Sequence, residues 1–133
     1  MTRYAIDAPT LLRLVAESVQ VSPNHQLVAP NLIRSQALAL LFEAVRDGRM
    51  SEQTAFSMHE RIPELKMRLL GDRVSRRTAW RIARELGWST TYDAEYLAVA
   101  RLQADAFITV DPEMAARAKD VVPLAGFDAL VRD

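Results

Sequence analysis

Three aspartates are the residues of this sequence best placed to do chemistry. Asp7 follows Arg3-Tyr4-Ala5-Ile6, a short β-prone run, and Asp111 follows the strand-like run from Ala106 to Val110. Asp93 stands at the start of a helical stretch, Tyr92 to Gln103, that leads into that second run. From Asp93 to its end, ten residues on, this helix descends roughly 15 Å at 1.5 Å per residue. The strand after it climbs back roughly 16 Å at 3.3 Å per residue. The two lengths cancel, which places Asp93 and Asp111 at the same sheet edge, the one that Asp7 also marks. Carboxylates gathered at one edge repel one another unless a cation neutralises them. Oxygen donors without histidine or cysteine suit Mg²⁺ or Mn²⁺. The plainer reading is that aspartate before a helix is an ordinary N-cap, with Pro112 after Asp111 as a first-turn proline.

The elements that must position these acids follow from periodicity. Leu11, Leu12, Leu14 and Val15 predict a helix after Pro9, and Gln26 to Ala29 a second strand ended by Pro30. From Asn31 to Gly48 a long amphipathic helix is expected, with Leu32, Ile33, Ala37, Leu40, Leu41, Ala44 and Val45 on one face. Ser51 caps a helix through Arg61, and Pro63 opens a further short one ending near Gly71. Asp72 caps Arg73 to Leu86, closed by Gly87, and Trp88 to Thr91 is a loop. Val121 to Leu124 reads as an edge strand. Short strands alternating with helices predict a three-layer α/β sandwich around a short, mainly parallel central sheet, as one domain over residues 1–133.

Composition excludes several classes. There is no cysteine, hence no disulfide framework, thiolate metal site or thiol nucleophile, and His25 and His59 are too few for a multi-histidine zinc site. With 17 basic and 17 acidic residues the chain is not the strongly basic type of nucleic-acid binder. No stretch suits a membrane span or signal peptide, so a cytoplasmic domain without membrane contact is expected.

The order Ile6-Asp7-Ala8, a helix after Val28-Ala29-Pro30, Thr91-Tyr92-Asp93-Ala94-Glu95-Tyr96-Leu97-Ala98-Val99-Ala100, and Ile108-Thr109-Val110-Asp111 resembles the PIN domain. It is most similar to the small VapC-type toxins of bacterial toxin–antitoxin pairs, over nearly the whole chain. The resemblance implies an Mg²⁺- or Mn²⁺-dependent endoribonuclease, with Asp7, Asp93 and Asp111 as catalytic, metal-holding acids and Thr109 lining the pocket. It also implies an RNA substrate, a cognate antitoxin and a homodimer. The family's glutamate position, in Leu32-Ile33-Arg34-Ser35-Gln36-Ala37-Leu38, holds Gln36. That exchange keeps one carbonyl donor but removes a negative charge, so weakened activity is expected. Glu43 and Glu95 do not look like substitutes by helical spacing. Two alternatives stand beside the toxin reading: a catalytically impaired interaction module, and a PIN ribonuclease of RNA processing that has no antitoxin.

Substrate contact needs positive charge. Arg73, Arg77, Arg81 and Arg84 share one helical face, with Arg76 beside them, and suit phosphate. A solvated face is the plainer reading. Arg13 and Arg34 are weaker candidates. Trp80 and Trp88 are expected to be buried rather than stacked on bases. Met50, Met58 and Met67, with Phe56, Leu65 and Leu69, read as an apolar belt over two mid-chain helices, mostly core. His25 and His59 read as surface or structural residues.

Overall fold

The computed structural model describes residues 1–133. In chain order the elements are β1 (Thr2–Ile6), α1 (Ala8–Ala16), β2 (His25–Pro30), α2 (Leu32–Arg46), α3 (Glu52–Arg61), β3 (Met67–Leu70), α4 (Arg73–Leu86), α5 (Tyr92–Gln103), β4 (Ala106–Ile108) and α6 (Pro112–Ala118). Short 3₁₀ turns cover Ile62–Glu64 and Phe127–Val131. The four strands form one sheet in the order β3-β2-β1-β4, every pair parallel. Helices flank it.

That strand order decides where a ligand fits. From β1 the chain steps outward to β2 and β3, then returns across β1 to lay down β4 on the other side. Connections therefore leave β1 and β4 in opposite directions. In open parallel sheets the crevice beyond the carboxyl ends of such a strand pair is the binding position. Ile6 pairs with Ile108, so the residues that follow these strands, Asp7 and Thr109 to Asp111, face that crevice.

Packing explains the element that carries Asp93. In α5, Ala94 and every residue from Tyr96 to Ala100 are buried, because the helix is packed against the sheet on one side and α4 on the other. Such a helix is apolar nearly all round. Asp72 caps α4 by accepting from Ser75 N at 2.9 Å. Gly87 ends it in the left-handed conformation at φ 68°, where a side chain would be strained.

The expected elements differ from the observed ones in four places. The strand expected from Ala106 to Val110 ends at Ile108, because Val110 N turns to Thr10 Oγ1 and Asp111 N to Thr109 Oγ1 instead of extending the ladder. The segment after Pro63 is not helical beyond Glu64: Met67 to Leu70 pairs with Leu27 to Pro30 as an edge strand. The β2 edge would otherwise leave its backbone groups unpaired, and that demand overrides the local pattern. The strand expected at Val121–Leu124 reduces to one bridge, Phe107 to Leu124, because Pro123 has no N–H to extend a ladder. The Met and Leu belt is likewise not a feature of two helices. Met67 and Leu69 lie on β3, Met58 is buried, and Phe56 is exposed beside Leu38 and Phe42 in an apolar depression of about 360 Å³ between α2 and α3.

Candidate functional site

At the carboxyl ends of β1 and β4 lies a cavity of about 280 Å³ whose lining includes Asp7, Asp93, Asp111 and Gln36. Asp7 is its floor. Immediately after β1 its backbone is extended, and its side chain caps α1. Oδ1 accepts from Thr10 Oγ1 at 2.6 Å and Thr10 N at 3.2 Å, and Oδ2 accepts from Thr109 Oγ1 at 2.6 Å. The two threonines also tie Asp7 to the other strand. Thr10 Oγ1 accepts from Val110 N at 3.1 Å, and Thr109 Oγ1 accepts from Asp111 N at 3.1 Å. Asp111 caps α6 through Oδ1, which accepts from Glu113 N at 3.0 Å, so its other oxygen is free. Both the capping and the pocket roles are thus compatible in one residue.

Asp7 is only 4 % exposed. Its carboxyl is held above the ordinary carboxylate value chiefly by burial, and further by the charge of Asp111, although the hydrogen bonds from Thr10 and Thr109 oppose this. The folded chain therefore keeps a proton on Asp7 at pH values where the unfolded chain has lost it. Stability falls as the pH rises from Asp7's unfolded value of 3.8 through its folded value. Asp7→Asn, which cannot ionise, is expected to melt at a higher temperature than the parent at about pH 7 in EDTA, with the gap closing towards about pH 4. A gap independent of pH would show that burial of this charge is not what sets it.

The third and fourth positions are less open than the sequence suggests. Asp93 Oδ2 is engaged by Arg117 Nη1, and the same guanidinium lies 4.1 Å over the ring of Trp88. Gln36 Oε1 accepts from the hydroxyl of Tyr96, a residue 1 % exposed. Burial, then the charges of Asp7, Asp93 and Glu95, push the Tyr96 phenol far above its ordinary value, so it remains a neutral donor. One lone pair of the carbonyl expected to serve as a donor atom is thus taken by Tyr96, and the Gln36 amide N–H group remains unpartnered. The three aspartates share the cavity, but no three Asp, Glu or His side chains are gathered closely enough to hold one metal ion.

Sequence reasoning missed several of these residues. Thr10 and Tyr96 are three residues from Asp7 and Asp93 on their helices, a spacing that shares a face and could have pointed to them. Arg117 carried no such signal. Glu43 lies at the cavity's exposed rim, two turns along α2 from Gln36. Glu95 instead lies near Arg76. Arg73, Arg77, Arg81 and Arg84 are all exposed on α4, outside the cavity. Arg13 is committed to Glu17 at 2.8 Å and to the ring of Phe127, whereas Arg34 makes no ion pair. Trp88 is half-buried beneath Arg117, but Trp80 is 66 % exposed, against expectation, because Ser75, Ala79, Ile82 and Ala83 form the buried side of α4. His25 packs edge-on against Tyr4 and His59 lies on the surface.

No family profile and no curated protein matches the sequence. Solved structures do match. The fold is similar to that of PAE2754 from Pyrobaculum aerophilum, with a TM-score of 0.75 and 25 % identity over 98 % of this chain and 93 % of that one. It is also similar to VapBC-1 from nontypeable Haemophilus influenzae, with a TM-score of 0.59 and 18 % identity over 94 % of this chain and 98 % of that one. The chain has a PIN-like fold. In this PIN fold the acidic cavity occupies the crevice that the strand order marks out, and no helix is long and apolar enough to cross a membrane.

Proposed function

We propose that the chain is a metal-dependent endoribonuclease of the VapC type, the toxin half of a toxin–antitoxin pair. The observation that carries this reading is the meeting of Asp7, Asp93 and Asp111 in one cavity at the carboxyl ends of β1 and β4. The donor chemistry suits Mg²⁺ or Mn²⁺: hard oxygens only, with Asp7 desolvated beside a second carboxylate. Asp7 and Asp111 would hold such an ion, with Asp93 joining them once released from Arg117. A bound ion of this kind lowers the pKa of a water and neutralises charge on the phosphate oxygens. The chain's own residues do the rest. Thr10 and Thr109 fix the Asp7 carboxylate, Tyr96 fixes Gln36, and the Gln36 N–H group offers a donor to a phosphate oxygen. Incubating the protein with RNA in Mg²⁺ or Mn²⁺, against an EDTA control, tests the reading. No metal-dependent cleavage would overturn it.

An antitoxin partner accords with the VapBC-1 likeness, and Leu38, Phe42 and Phe56 offer it an apolar face. A homodimer belongs to the same reading. A second reading, an interaction module with impaired catalysis, is favoured by the partly occupied Gln36 carbonyl and the engaged Asp93.

The Arg117–Asp93 pair lies at the surface, with both side chains about two-fifths exposed. Such pairs contribute at most about 1 kcal/mol. Arg117→Ala is therefore expected to tighten Mn²⁺ binding, measured by calorimetry, by up to about fivefold. Weaker binding in that variant would show that Arg117 supports the site rather than competing for Asp93.

A further inference from the structure

The exposed face of α4 is unlike the rest of the surface. It carries five arginines against the single Glu85 in a chain whose formal charge is zero. Outside α4, Arg13, Arg46, Arg49, Arg117 and Arg132 have a carboxylate partner while five scattered arginines have none, but only on α4 do five arginines stand together without an ion pair. Among them stands Trp80, 66 % exposed. Arg77, Trp80, Arg81 and Arg84 line one shallow depression of about 260 Å³. Their spacing puts them on one stripe of the helix, successive arginines rising roughly 5–6 Å along its axis.

Unpaired guanidinium forks call for a polyanion with repeated, planar acceptors, which phosphodiesters supply. An indole left in water among them calls for a flat apolar partner, which an unstacked base supplies. Both demands are met by one ligand class. We infer that α4 is a binding track for single-stranded RNA, in which Trp80 stacks a base while Arg77, Arg81 and Arg84 hold the flanking phosphates. In a duplex the bases are already stacked on one another, so Trp80 would find no face and only the charge would act. The track ends beside the cavity: α4 runs into Gly87 and Trp88, and Trp88 lies under the guanidinium that pairs with Asp93. RNA as the occupant rests on the proposed ribonuclease activity. The track deepens that reading by naming the strand state of the substrate and a contact surface away from the acids.

The test is fluorescence anisotropy of a labelled oligouridine twelve-mer with the whole chain in EDTA, where cleavage is absent. Trp80→Ala is expected to weaken binding roughly tenfold, and Trp80→Phe to restore most of it. Arg77→Ala and Arg81→Ala should each weaken binding and lower the slope of log affinity against log salt by about one. Double-stranded RNA of equal length should compete at least about tenfold less well. Equal binding by Trp80→Ala, or equal competition by the duplex, overturns the track. So does a change in oligomeric state on Trp80→Ala, measured by light scattering, since the face would then be an interface between copies. RNA cleavage with Trp80-independent binding sinks the track alone. Trp80-dependent binding without any cleavage in Mn²⁺ sinks the nuclease reading alone.

Discussion

Asp7→Asn should reduce Mg²⁺- or Mn²⁺-dependent RNA cleavage by roughly a hundredfold or more, while the folded protein becomes no less stable. The size of the loss follows from position. Removing even a group that only supports a metal ligand typically costs about 10–100-fold in affinity or activity, and Asp7 is the buried carboxylate at the floor of the cavity. Asparagine keeps an oxygen for Thr10 N and Thr10 Oγ1, so the cap on α1 survives. What it removes is the charge that a cation would meet. A single-turnover cleavage assay, with a thermal melt on the same sample, checks both halves. Retained cleavage in Asp7→Asn would remove the acid cavity from the mechanism altogether.

Gln36→Glu has the second largest expected effect, in the opposite direction. Tyr96 would donate to a carboxylate oxygen as it does to Gln36 Oε1, so the exchange fits the existing contact. It would add a further negative charge to a cavity that already holds Asp7 and Asp111, where burial opposes the charge on Asp7. Without a cation this is unfavourable, and a lower melting temperature in EDTA is expected. With one, attraction between a carboxylate and a divalent ion about 5 Å apart is on the order of 6 kcal/mol at an effective dielectric of about 20, before desolvation is deducted. A net quarter of that is already a tenfold gain in affinity. Calorimetric titration with Mn²⁺ should therefore show at least about tenfold tighter binding, with melting recovered by the metal. Unchanged affinity would mean that Gln36 lies outside the reach of the ion.

The acids were legible in the sequence because strand and helix lengths are fixed by backbone geometry. Asp7 follows its strand directly and Asp111 stands just beyond β4. Asp93 reaches their edge because its helix runs back along the sheet before that strand, although the strand already ends at Ile108. What surrounds them was not legible. The partners of Asp93 and Gln36 come from segments 24 and 60 residues away, and no local pattern joins them. β3 escaped notice because Met67-Arg68-Leu69-Leu70 holds no β-branched residue, and only the open edge of β2 makes it a strand. Trp80 misled through its type. The two tryptophans resemble each other on paper, but the small residues of α4 claim the packed side, and the indole at position 80 is left in water.

The threonine stitching between the first and last strands has a consequence for the order of events in biosynthesis. Asp7 is made well before the residues that complete its surroundings, which lie about a hundred positions later, at Thr109 to Asp111. A chain growing from its amino terminus therefore carries its central acid through all of that interval without its partners from the last strand. The pocket is thus withheld until Thr109 to Asp111 have been made, and chains that stop short of them have no assembled acid cavity.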